Sequence, residues 1–79
     1  MTCTIVGTRR VDMNEENIHG WSVFTTRDED GVNGQLAEKH FIRDEMFRRD
    51  TGGLLPNPGD KMEFEFNNKG KIGKIIAIA

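Results

Sequence analysis

The 79-residue chain has a single cysteine, no tyrosine, only two prolines and no long apolar run. A lone Cys3 excludes an intramolecular disulfide. It has no Cys or His at metal-ligand spacing, so no metal site is expected. Unpaired cysteine usage points to a reducing, cytoplasmic setting. No stretch approaches the roughly 20 apolar residues that span a bilayer, so no membrane partner is expected. The start, Met1-Thr2-Cys3-Thr4-Ile5, lacks a basic n-region and an h-region, and predicts no signal peptide. Charge of one sign is also missing. Eleven basic and 13 acidic residues give a net −2, which does not mark a nucleic-acid binder, although phosphates respond to local patches. No GxSxG, P-loop or HExxH pattern occurs, and Gly70-Lys71 lacks the flanking residues of a phosphate loop. The chain reads as a non-enzyme without a cofactor. No repeat, low-complexity tract or linker interrupts it, so residues 1–79 read as one small domain.

What is present is clearest at 56–76. Pro58-Gly59-Asp60 makes a tight entry turn. Met62, Phe64 and Phe66 then alternate with Glu63 and Glu65, the period of a strand with one buried face. Asn67-Asn68-Lys69-Gly70 suits a reversal, because Asn and Gly tolerate positive φ. Ile72, Ile76 and Ile78 share one parity, with Gly73 as a candidate bulge. This is a β-hairpin, which needs further strands to be stable.

Those strands lie upstream. Thr4 to Met13 is a first strand, with Ile5, Val11 and Met13 on one parity and Gly7 as a bulge or close approach. Arg9 and Arg10 point to opposite faces. Ile18 to Arg27 is a second strand: Trp21, Val23 and Thr25 face one way, Ser22, Phe24 and Thr26 the other. Residues 35–43 fit either strand or helix. The favoured reading is a strand to about Ile42 and a short helix from Asp44 to Arg49, with Asp44 as N-cap and Gly52-Gly53 as its end. Leu54 and Leu55 are expected to tuck beneath the barrel. Five strands with a helix between the third and fourth predict a mainly β fold, a small OB-like barrel, with an SH3-like barrel as the alternative.

Most charged clusters read as ordinary surface. Asp28, Glu29, Asp30 and Asn33 fail the EF-hand pattern, which needs an oxygen ligand where Val32 stands and a glutamate where Lys39 stands. Arg43, Arg48 and Arg49 alternate with Asp44, Glu45 and Asp50, as on a solvated helix face. Nothing in the sequence places Cys3 and His40 together as a nucleophile–base pair, and a lone cysteine is usually a small buried hydrophobe. The exception is a set of aromatic and basic residues. Bases stack on exposed π-faces and phosphates seek cations. Trp21 and Phe24 on the second strand, Arg9 and Arg10 beside them, and Lys71 and Lys74 on the last hairpin are the candidate nucleic-acid-binding residues. Trp21 and Phe24 cannot both face one small core.

Several segments together carry a resemblance. They are Val6-Gly7, Val11-Asp12, His19-Gly20-Trp21-Ser22-Val23-Phe24, Val32-Asn33-Gly34-Gln35, Glu38-Lys39-His40-Phe41-Ile42, Pro58-Gly59-Asp60, Phe66-Asn67 and Gly70-Lys71-Ile72. The chain resembles the small β-barrel proteins encoded on conjugative and phage-like elements of Gram-positive bacteria. In layout it is also similar to the filamentous-phage single-strand DNA-binding protein, but departs from it in having no tyrosine. The resemblance implies a mobile-element role and nucleic-acid binding. The expected function is therefore binding of single-stranded DNA or RNA without strong sequence preference, as a homodimer. The alternative is a protein-interaction or regulatory module that works through a strand edge or the Leu54-Leu55 region.

Overall fold

The computed structural model describes residues 1–79. Strands β1 (Thr2–Met13), β2 (Ile18–Arg27) and β3 (Leu36–Arg43) are followed by helix α1 (Asp44–Thr51), then β4 (Lys61–Phe66) and β5 (Ile72–Ile78). All neighbouring strands are antiparallel, in the order β3-β2-β1-β4-β5. Residues 36–43 are thus strand throughout, and the helix begins directly after them. The sheet does not close into a barrel, because β3 and β5 remain its two unpaired ends.

The sheet curves around one core. Cys3, Ile5, Val23, Ile42, Met62, Phe64, Ile72 and Ile75 fill its inner face, and Phe47 of α1 plugs it from the helix side. The alternation in β4 follows directly from the sequence, with Met62 and Phe64 buried and Glu63 and Glu65 exposed. Gly73 is indeed an extra residue, since Phe66 pairs with Ile72 while Glu65 pairs with Lys74.

A bulge in β1 also changes the reading of that strand. Ile5 pairs with Thr25 and Gly7 with Phe24, so Val6 is extra and lies 55% exposed. A bulge reverses the inside–outside alternation downstream. Ile5 therefore points into the core, whereas Val11 and Met13 do not share its face. Arg10 comes inside opposite Trp21, and Arg9 goes outside opposite Ser22.

The helix is built to fit its place. Asp44 and Glu45 occupy its first turn and Arg48 and Arg49 its last, each sign complementing the helix dipole. The N-cap is Arg43, not Asp44, and no side chain caps the first turn. Asp44 is engaged instead by Arg10, which donates to both of its carboxylate oxygens at 2.7 and 2.8 Å. Gly52 takes the left-handed conformation, and the Gly53 N–H returns to the Phe47 carbonyl at 3.1 Å. Beyond it, Leu54 and Leu55 are exposed rather than tucked in, and Pro56 is the buried residue of this segment.

Two side chains of α1 occupy the free edge of β5. Asp50 accepts the Ile75 N–H at 2.9 Å, and Arg49 donates to the Gly73 carbonyl at 2.9 Å. Arg49 also holds the Asp50 carboxylate through Nε at 2.7 Å. The Arg49 guanidinium first, and the Ile75 N–H second, bring the Asp50 carboxyl from an ordinary 3.8 down to about 2. Replacing Asp50 by Ala strands the Ile75 N–H beneath the helix. The expected cost is about 1–3 kcal/mol of unfolding free energy. Because the folded carboxyl sits below its ordinary value, its contribution is present above about pH 4 and fades as pH falls towards 2. The stability gap between wild type and Asp50→Ala in urea melts should therefore narrow over that window. A gap that stays constant would sink the assignment.

Candidate nucleic-acid interface

The two faces of the β1–β2–β3 region have opposite characters. On the inner face, every cation is already engaged. Arg10 contacts Asp44 as above, and also contacts Asp12 through Nε at 3.2 Å and Nη2 at 3.0 Å. Its guanidinium lies 5.4 Å from the centre of the Trp21 ring. These bonds hold both carboxyls below their usual range, with Asp12 lowered further by His19, whose Nδ1 lies at 2.8 Å. Arg27 donates to Glu38 at 2.9 Å and contacts Glu29.

The outer face is read row by row from the strand register. Gly7, Phe24 and Lys39 make one row; Arg9, Ser22 and Phe41 the next; Val11, Gly20 and Arg43 the third. None of the nine is a carboxylate. Arg9, Lys39 and Arg43 are exposed, and none takes part in an ion pair. Adjacent strands place diagonal neighbours about 7–8 Å apart, so the aromatic and basic groups share one small surface.

Both rings lie close to a glycine of the neighbouring strand, but only Gly20 is required for the approach. At Gly7, a Cβ would sit 3.6 Å from the Phe24 ring. At Gly20 the approach is closer: a Cβ would lie 2.4 Å from the Ile42 carbonyl oxygen and 2.9 Å from the Phe41 ring. Only glycine allows β3 and Phe41 to lie this close to β2. Phe41 nonetheless keeps 43% of its surface exposed. The aromatic pairs of the molecule, His40–Phe64, His40–Phe66 and Phe64–Phe66, all lie on the other side of the sheet.

No protein-family model, curated protein or solved structure matches the chain.

The six residues singled out from the sequence therefore separate. Phe24 and Arg9 share the outer face. Trp21 is half-buried on the inner face beneath Arg10, and Arg10 is tied to α1, so neither joins Phe24. Lys74 stands opposite Glu65 on β5, two strands beyond β1. Lys71 lies at the mouth of a cleft beside β3, lined also by Lys39 and Phe41. Phe41, Lys39 and Arg43 are the members that sequence reasoning missed. Their signal was the parity opposite to His40 and Ile42 in a segment that could still be helix. No group of three His, Cys, Asp or Glu side chains is placed to hold a metal ion. No helix is long and apolar enough to cross a membrane.

Proposed function

We propose that the outer face of β1–β3 binds single-stranded nucleic acid without strong sequence preference. The observation that carries the reading is the pairing of two rings, the exposed Phe41 and the half-buried Phe24, with three unpaired cations in rows free of carboxylates. Rings accept any base by stacking, and Arg and Lys neutralise phosphate, so neither contact selects a sequence. A net charge of −2 is compatible with this, because the carboxylates lie elsewhere: on the inner face, the helix, the turns and the exposed side of β4. The strand order also supports it. The order β3-β2-β1-β4-β5, with a helix between β3 and β4, is compatible with an OB-like barrel left open between β3 and β5. OB folds bind oligonucleotides on the face of their second and third strands. The mobile-element setting rests on the sequence resemblance alone.

The test is a fluorescence-anisotropy titration of a labelled mixed-sequence single-stranded oligonucleotide over a range of salt. Each phosphate neutralised on a single strand contributes a slope of about −0.7 in log affinity against log salt. Arg9, Lys39, Arg43 and Lys71 together set an upper bound of about −3. Binding that does not respond to salt, or no binding at low salt, would sink the proposal. Trp21 fluorescence is a poor reporter here, because the indole lies on the opposite face.

A second reading is a protein-interaction module. The free edge of β3 and the exposed Leu54 and Leu55 favour it. Failure to bind either single strand or duplex at any salt would leave this reading standing.

A further inference from the structure

The two ends of the sheet face each other across a seam that is sealed only in part. In one half, Arg49 and Asp50 of α1 hold the backbone of Gly73 and Ile75. The other half is an open cleft of about 370 Å³ between Glu38–Phe41 on β3 and Gly70–Ile72 at the β4–β5 turn. Each lip carries one lysine, Lys39 on one side and Lys71 on the other. Neither has a carboxylate partner. The only acid lining the cleft is Glu38, and Arg27 already donates to it at 2.9 Å. His40 lines the cleft from β3, with its ring packed 5.7 Å from Phe64 and 6.2 Å from Phe66. Burial keeps its imidazole below the ordinary range, so it adds no charge at neutral pH.

The lip that bears Lys71 is held in shape. Asn67 Oδ1 accepts the N–H of Lys69 at 2.9 Å and of Lys71 at 3.1 Å, and Gly70 takes the left-handed conformation. Two ammonium groups on opposite lips of one gap repel each other until an anion lies between them. A phosphodiester has two free oxygens and a single charge, one oxygen for each lysine.

We infer that the open seam is a phosphate subsite, in which Lys39 and Lys71 grip one phosphodiester of a bound strand and tie β3 to the β4–β5 turn. The inference rests on the single-strand reading of the outer face and adds a direction to it. Lys39 belongs to both surfaces, since it pairs across from Phe24 and also lines the cleft. A strand stacked on Phe24 and Phe41 therefore runs past Lys39 and over the seam. Its phosphate bridges the two edges where a closed barrel would have a hydrogen-bond ladder.

The experiment compares wild type, Lys71→Ala and Lys74→Ala by oligonucleotide titration across salt, with amide hydrogen exchange on the bound states. Lys74→Ala is the matched loss of charge away from the cleft. Lys71→Ala should weaken low-salt binding about 3- to 10-fold and make the salt slope shallower by about 0.7. Lys74→Ala should change neither. In wild type, the strand should slow exchange on both lips, at 38–41 and at 70–72. In Lys71→Ala the protection at 70–72 should be lost. If wild type binds and Lys71→Ala matches it in slope and protection, the seam subsite alone falls. If wild type binds no strand, both readings fall. Inorganic phosphate that protects both lips as fully as the strand would overturn the bridge and assign the seam to a free anion.

Discussion

Phe64→Ala is expected to lower the unfolding free energy by about 3–5 kcal/mol. Phe64 is fully buried at the centre of the inner face. Its ring meets Phe66 edge-on, with centroids 5.0 Å apart, and meets His40 at 5.7 Å. Truncation removes the transfer free energy of a whole ring and leaves a cavity that neighbours on three different strands cannot easily fill. At about 0.05–0.15 kcal/mol per residue, a chain of this size holds roughly 4–12 kcal/mol in all. The variant therefore loses a large share of its stability. Urea unfolding followed by circular dichroism would show a much lower midpoint with the slope nearly unchanged. Phe41→Ala, at a ring lying on the outside of the sheet, should shift that midpoint far less. Equal losses at the two positions would contradict the division of the sheet into a packed face and a free one.

That division was partly legible in the sequence. The alternation of Met62, Phe64 and Phe66 with glutamates defines β4, and the two-residue period in β2 places Trp21 and Phe24 on opposite faces. Deciding which face is inside needs partners. Val23 and Thr25 go inward with Trp21 because their cross-strand neighbours, Ile5 on β1 and His40 and Glu38 on β3, belong to the inner face. The bulge at Val6 was the harder feature. A single extra residue exchanges the roles of Arg9 and Arg10, and period-two counting carries straight through it. Gly7 marked the place, but a glycine does not say on which side of it the extra residue lies. Phe41 and Lys39 were obscured for another reason. Residues 35–43 satisfy both strand and helix periodicity, and only pairing with β2 removes the helix. Barrel closure was not legible at all. Five strands in the right order are compatible with an open or a closed seam, and the difference lies in how the helix side chains occupy the β5 edge. Asp50 and Arg49, read from the sequence as part of a solvated mixed-charge face, turn out to satisfy that edge.

Phe24→Ala and Phe41→Ala should each weaken single-strand binding by about 1–3 kcal/mol, the value of one lost base stack. Every 1.4 kcal/mol is a factor of ten, so the double variant, losing about 2 kcal/mol or more, is expected to bind at least about 30-fold more weakly than wild type. The salt slope should hardly move, because Arg9, Lys39 and Arg43 remain to neutralise phosphate. Arg9→Ala should do the reverse, with a modest loss of affinity at low salt and a slope shallower by about 0.7. This crossed pattern separates stacking from charge. Phe41→Leu sharpens it further, since leucine keeps much of the apolar area but offers no π-face, and it should lose nearly as much affinity as alanine. Trp21→Phe is the control for the other side of the sheet. It preserves an aromatic beneath Arg10, and the indole it removes does not reach the Phe24 surface, so binding should be unchanged. A loss at Trp21 as large as that at Phe24 would mean that the strand lies on the inner face. Arg10 would then have to leave Asp44 to meet it.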